Sequence, residues 1–244
     1  MIHRVKDVDI NYLHYGNKTA QSIVFLHGWG QNIEMMKPIA DPLQSDFNIV
    51  IVDLPGHGES SEPKCIWEVS DFVECIKQLL DKLNILKPIL VGHSFGGKIS
   101  LLYASKYEVE KLVLFGSPFK KEIQQLSLKT KALKQIKKVP GINVFENFAK
   151  KHIGSTDYKN ASPMMRQILV ATVNLDITEY VKKITCPTLI VWGDNDEAVS
   201  LDRAYELESL IKDSAVIVYE GCTHYAYLEN INQTIRIMKS FVRS

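Results

Sequence analysis

The sequence predicts an α/β fold built on a mostly parallel, doubly wound sheet, and three observations carry that prediction. Short apolar runs of strand length alternate with stretches of helical period through most of the chain. Those runs end at turns rich in Gly, Asp or His, such as His27-Gly28-Trp29-Gly30 and Asp53-Leu-Pro-Gly-His-Gly-Glu-Ser60. One run, Pro88-Ile-Leu-Val-Gly-His-Ser94-Phe-Gly-Gly, breaks at a G-x-S-x-G turn and continues at once as an apolar helix. Strands joined through helices make right-handed parallel units, and their helices cover both faces of one sheet.

Taken in order, residues 2–15 alternate in polarity and read as an antiparallel pair that starts the sheet. Strands follow at 22–26, 47–52, 88–92, 111–115, 187–192 and 215–219, which makes eight in all. Helices are expected at 33–44, 66–84, 95–106, 200–212 and 231–243. In the second of these, Val69, Phe72, Val73, Ile76, Leu79, Leu80 and Leu83 fall on one face. Residues 119–183 break the rhythm. They read as helical, with Pro140-Gly141 and Ser162-Pro163 as breakers, and hold thirteen Lys and Arg against five Asp and Glu. The expected organisation is a core of residues 1–118 and 184–244, with 119–183 inserted as a helical lid after the sixth strand.

At 244 residues, 45% hydrophobic and 23% charged, the chain can bury one large core. The net charge of +1 implies neither nucleic acid nor membrane as partner. No apolar run reaches the roughly 18–20 residues of a membrane span, and Met1-Ile-His-Arg-Val-Lys-Asp carries no apolar signal core. Cys65, Cys75, Cys186 and Cys222 have no paired spacing and read as free thiols, so a cytoplasmic location is expected. Neither H-E-x-x-H nor a ligand cluster with metal spacing occurs, so no metal or cofactor is expected.

A serine at a strand–turn–helix elbow is held up at a sheet edge, beside free N–H groups that favour developing negative charge. Ser94 is therefore the candidate nucleophile. Gly92 and Gly96 let strand and helix approach around it. Such a serine needs a base oriented by a carboxylate. Only His152 and His224 follow it in the chain, and His224 alone lies just past a strand. Asp194, Asp196 and Glu197 all lie just past strand 187–192, and spacing does not choose among them. Gly92 to Lys98 also fits part of a phosphate-binding loop. The next residue, Ile99, lacks the hydroxyl that would hold Mg²⁺.

With these segments in this order, the chain resembles the α/β-hydrolase fold family, in particular its lidded serine esterases. The resemblance rests on His27-Gly28-Trp29-Gly30, Asp53 to Ser60, Gly92-His-Ser94-Phe-Gly96-Gly97, Gly193-Asp-Asn-Asp196 and Gly221-Cys-Thr-His224. It implies that Asp196 is the acid, with Asp194 as the fallback, and that the backbone N–H groups of Trp29 and Phe95 form the oxyanion hole. It implies ester hydrolysis through an acyl-enzyme, without a cofactor. The same triad would also serve C–C bond hydrolases, perhydrolases, a menaquinone-pathway lyase or a slow-turnover receptor. His27, Gly28, Met164, Met165, Tyr225 and Tyr227 are candidate substrate contacts. For His27 and His57 a hydrogen-bonding role beside turn glycines competes, and for the methionines packing within the lid competes. His-Gly-Trp-Gly followed by Gln31-Asn-Ile-Glu34 is locally similar to the pimeloyl-carrier-protein methyl ester esterases. That likeness implies an acidic acyl carrier protein docked on the basic lid; a solvated lysine face is the competing reading.

Overall fold

The computed structural model of the chain describes residues 1–121 and 161–244. One sheet holds β1 (Ile2–Val5), β2 (Val8–Gly16), β3 (Ser22–Leu26), β4 (Asn48–Val52), β5 (Ile89–His93), β6 (Lys111–Phe115), β7 (Thr188–Gly193) and β8 (Ser214–Tyr219). Their order is β1-β2-β4-β3-β5-β6-β7-β8. β1 with β2 and β2 with β4 are antiparallel; every later pair is parallel. The fold is thus the eight-stranded α/β-hydrolase sheet that the sequence predicts.

Residue pattern follows position. β4, β5 and β6 are buried at every residue, as central strands covered on both faces must be. The edge strand β8 keeps exposed positions. On one face Val24, Leu26, Val50, Val52, Leu90, Leu112 and Leu114 pack with the apolar side of α2 (Val69–Lys82) and with α3 (Phe95–Ala104). On the other, Ile23, Phe25, Ile49, Ile51, Val91, Val113 and Phe115 meet residues 33–43 and α8 (Ile231–Arg243). Burial of this kind contributes about 25 cal/mol per Å² of apolar surface.

The expected helix 33–44 is a correction. It splits into a 3₁₀ turn at Ile33–Met35, a four-residue α1 at Lys37–Ala40 and a second 3₁₀ turn at Asp41–Leu43. Pro38 and Pro42 each lack an N–H and crowd the preceding turn, so no continuous ladder forms. Between β6 and β7 the described residues form α4 (Pro163–Asn174) and α5 (Thr178–Val181), with no strand. Ser162-Pro163 starts α4 rather than breaking it: Ser162 Oγ accepts the Met165 N–H, with proline in the first turn. Residues 122–160, which include His152, Pro140-Gly141 and most of the expected lid, lie outside the described residues. α6 (Asp202–Leu210) and the short α7 (Ala226–Glu229) complete the order.

Register decides where the loops gather. Leu26 pairs Gly92, His93 pairs Phe115, Phe115 pairs Val191 and Val191 pairs Ile217. The segments that begin at residues 27, 94, 116, 194 and 220 therefore all leave one carboxyl edge, where open α/β sheets build their sites.

Candidate active site

Ser94 joins β5 directly to α3 with φ 50° and ψ −113°. A non-glycine residue in this region is strained, and such strain persists only where neighbours enforce it. They do so here: the Ser94 N–H donates to the Phe115 carbonyl at 2.9 Å, while its own carbonyl accepts the Lys98 N–H. A Cβ on Gly96 would overlap the Leu26 and His27 carbonyl oxygens, and one on Gly92 would meet the Gly96–Gly97 backbone at 2.5–2.7 Å. Only glycine allows this turn to close.

His224 lies in the loop after β8. Its Nδ1 is 2.7 Å from Asp196 Oδ2, and the Asp196 side chain is almost fully buried. The other carboxylate oxygen accepts the Ala198 and Val199 N–H groups at 2.8 and 2.9 Å. Both oxygens are thereby committed, and the carboxylate is fixed against the ring. Asp194 is occupied elsewhere, accepting the Gly221 N–H at 2.7 Å; Glu197 is exposed. Spacing left this choice open; of the three carboxylates, Asp196 is the one in contact with the imidazole. The ring packs beside the end of β5: its centroid is 4.8 Å from that of His93. Gly116 (φ 50°), next to Phe115, is bare where a Cβ would lie 2.9 Å from His224 Nδ1. Ser94 Oγ and His224 are not hydrogen-bonded to one another. In resting sites this bond is commonly long or misaligned and tightens when a reacting group binds.

The Gly28–Trp29 peptide is oriented from behind. Its carbonyl oxygen accepts from His27 Nδ1 at 2.7 Å and from the Gln31 N–H at 3.3 Å. In a trans peptide the N–H points the opposite way, so Trp29 turns its N–H from that cluster. Neither the Trp29 nor the Phe95 N–H donates to any described residue. Phe95 holds the first position of α3, where N–H groups have no intrahelical partner. The two rings touch edge to face, with centroids 5.2 Å apart.

Other expected residues divide. His27 is fully buried, its Nε2 accepting the Leu54 N–H at 3.0 Å. Burial, with His57 beside it, pushes its pKa down to about 3, so it stays neutral with Nδ1–H donating. It holds loop backbone, which is the reading that competed with a substrate contact. Tyr227 is likewise fully buried, stacked on Phe115 with centroids 4.9 Å apart. Met165 is buried, its thioether against Gly56 (φ 80°) where no Cβ would fit. Met164 is half-buried and Tyr225 exposed, the latter 5.8 Å from the His224 ring. His57 donates from Nδ1 to the Pro55 carbonyl and stands edge-on to Trp29. Asp53 accepts from the Ile33 and Glu59 N–H groups and from Asn11 Nδ2, tying three segments together.

Sequence reasoning missed Gln31, His93 and Lys98. Each lies in a segment quoted for another reason; each matters through a partner distant in the chain, and spacing does not signal that. Among the described residues no group of His, Cys, Asp and Glu is arranged to hold a metal, and no helix is long and apolar enough to cross a membrane.

A strained serine elbow, an imidazole–carboxylate pair and two free N–H groups at one sheet edge define a hydrolase-type site. The chain belongs to the α/β hydrolase fold family, which it matches over residues 21–135 and 124–231. It is similar to a pimeloyl-[acyl-carrier protein] methyl ester esterase of Aliivibrio fischeri, 27% identical over 90% of this chain and 93% of that protein. It is also similar to a 2-hydroxy-6-oxononadienedioate/2-hydroxy-6-oxononatrienedioate hydrolase of Pseudomonas putida, 26% identical over 97% of this chain and 93% of that protein. Among solved structures, an enol-lactonase from Burkholderia xenovorans superposes with a TM-score of 0.79 at 17% identity, covering all of both chains.

Proposed function

We propose that this protein is a serine hydrolase that cleaves carboxylic esters through Ser94, His224 and Asp196. The observation that carries the reading is Asp196 gripping His224 Nδ1 at 2.7 Å on the edge where Ser94 stands in a left-handed elbow. With Nδ1–H given to the carboxylate, Nε2 is the basic nitrogen. His224 takes the Ser94 proton as Oγ attacks the ester carbonyl, and Asp196 stabilises the imidazolium. The Trp29 and Phe95 N–H groups receive the oxyanion; one such donor typically accounts for 10²–10³ in turnover. The alcohol leaves with the His224 proton. Water then attacks the acyl-Ser94 ester by the same steps and releases the acid.

The A. fischeri relative supports an ester, and its name supports an acyl chain delivered on a carrier protein. The surplus of eight positive charges over residues 119–183 would suit such a carrier if it is acidic. The P. putida relative favours a second reading, C–C bond hydrolysis by the same three residues. p-Nitrophenyl acetate, butyrate and octanoate test the first. The wild type should turn over many times and Ser94→Ala should lose at least about 10³-fold. Equal rates in the two proteins, or a single stoichiometric acylation with no turnover, would reject it. Turnover of a vinylogous 1,5-diketone acid with none of the esters would establish the second.

A further inference from the structure

Two side chains between the halves of the site have no part in that mechanism. Gln31 is half-buried, and its Oε1 accepts the Gly28 N–H at 2.9 Å. The same oxygen lies 3.2 Å from Nδ1 of His93. Across the ring, His93 Nε2 is 3.0 Å from the carbonyl oxygen of His224. His93 is fully buried, with Tyr227 and Tyr225 packed at 4.8 and 5.4 Å. A Cβ on Gly28 would sit 2.9 Å from His93 Nδ1 and 3.1 Å from Gln31 Oε1, so the contact has no slack.

Both ring nitrogens thus face oxygen acceptors. Burial, and His224 close by, hold His93 well below the ordinary imidazole range. The neutral ring has one N–H for two acceptors. The His224 carbonyl is the nearer acceptor, so the proton stands on Nε2 and ties His93 to the loop of the base; on the other edge the buried ring is wedged against Gln31, whose Oε1 holds the loop of the oxyanion donor through the Gly28 N–H. Those loops leave β3 and β8, which β5, β6 and β7 separate in the sheet.

We propose that Gln31 and His93 are positioning residues: together they form a bridge that sets the Trp29 N–H in register with the His224 imidazole. This rests on the function proposed above. Registration matters because a displacement of about 1 Å in a reacting group can cost on the order of 10² in rate.

Steady-state kinetics on p-nitrophenyl butyrate, with thermal melts, test the bridge in Gln31→Leu, His93→Leu, His93→Gln and the double Leu variant. Each single Leu variant should lose about 10–100-fold in kcat with KM within about threefold. His93→Gln places an amide N–H near the position of Nε2 and should recover most of that loss. Residues that act as a unit do not add, so the double variant should be no slower than the poorer single. Multiplicative losses, a change confined to KM, or His93→Gln as slow as His93→Leu would overturn the bridge. Should His93→Leu fail to fold, Gln31→Leu decides, and an unchanged kcat rejects the proposal. If the wild type shows no turnover dependent on Ser94, the proposed function fails instead. The bridge is then read from backbone ¹⁵N shifts: Gln31→Leu should move the amides of residues 223–225, and movement confined to residues 27–33 rejects it.

Discussion

Single atoms of Asp196 divide the work at this site. Oδ1 is held by two backbone N–H groups and Oδ2 meets the imidazole, so the carboxylate cannot turn away without breaking three bonds. In Asp196→Asn the Ala198 and Val199 donors keep the remaining oxygen, which leaves an NH₂ facing His224 Nδ1. The ring must then hold its proton on the nitrogen that faces Ser94, and kcat should fall by about 10³–10⁴. Asp194→Asn retains an acceptor for the Gly221 N–H and should stay within about threefold. The opposite ranking would move the acid to Asp194. Gly116 is a second test: an alanine Cβ, 2.9 Å from His224 Nδ1 and 3.3 Å from Asp196 Oδ2, would pry the pair apart. At a φ of 50° the substitution also adds strain of about 1 kcal/mol. Gly116→Ala should lower kcat at least about tenfold and reduce the melting temperature by a few degrees. An unchanged kcat would mean that the ring does not depend on that gap. Ser94 and His224 were singled out from the sequence because one directly follows a strand at a recognisable turn and the other lies a few residues past one. Gly116 was not, and Asp196 was named only through the family resemblance, because both depend on distance between segments far apart in the chain.

The link between elements runs through Lys98. It sits one turn into α3 with its side chain fully buried, and its Nζ donates to the Thr172 and Leu175 carbonyls at 2.8 and 2.6 Å. These carbonyls lie at the C-terminal end of α4, where peptide oxygens lack helical partners and a cation is favoured. The nucleophile helix is thus fastened to the segment inserted after β6. Burial dominates over the attraction of Asp176 and lowers the Lys98 pKa from 10.5 to about 8. The folded state therefore binds fewer protons than the unfolded chain between those two values. The ammonium costs stability below about pH 8, and the cost fades as pH rises toward 10.5. A shift of this size corresponds to about 3 kcal/mol. Lys98→Met removes the titration. Urea unfolding of both proteins at pH 7 and pH 10 should show the wild type gaining on the variant as pH rises. A difference that stays constant, or moves the other way, would show that the ammonium is not desolvated. The elements themselves were largely legible, since strands buried on both faces and the helix 231–243 follow plain apolar patterns. The broken segment 33–43 was not, because its apolar residues keep helical spacing and only its two prolines reveal the interruption.

Charge is the property that belongs to the whole molecule. Net charge is only +1, yet residues 119–183 carry a surplus of eight positive charges, which leaves the rest of the chain at −7. A charge surplus gathered in one part of a protein steers an acidic macromolecule and leaves a small neutral ester unaffected. The two substrate classes therefore separate by ionic strength. The Debye length contracts from about 10 Å at 0.1 M to about 3 Å at 1 M. If an acidic acyl carrier protein docks there, kcat/KM for a carrier-linked methyl ester should fall at least about tenfold between 0.05 and 0.5 M NaCl. The fall should lie mainly in KM, because docking, not acylation, is what screening weakens. On p-nitrophenyl acetate the same salt range should change kcat/KM by less than about twofold, since His224 and Asp196 form a short-range, largely buried pair. Charge reversal gives the complementary arm: Lys182→Glu and Lys183→Glu, both exposed, should weaken the carrier-linked reaction and spare the small ester. Equal salt slopes for the two substrates would remove the carrier from the proposal and return the lysines to a solvated face, with the esterase reading still standing on Ser94.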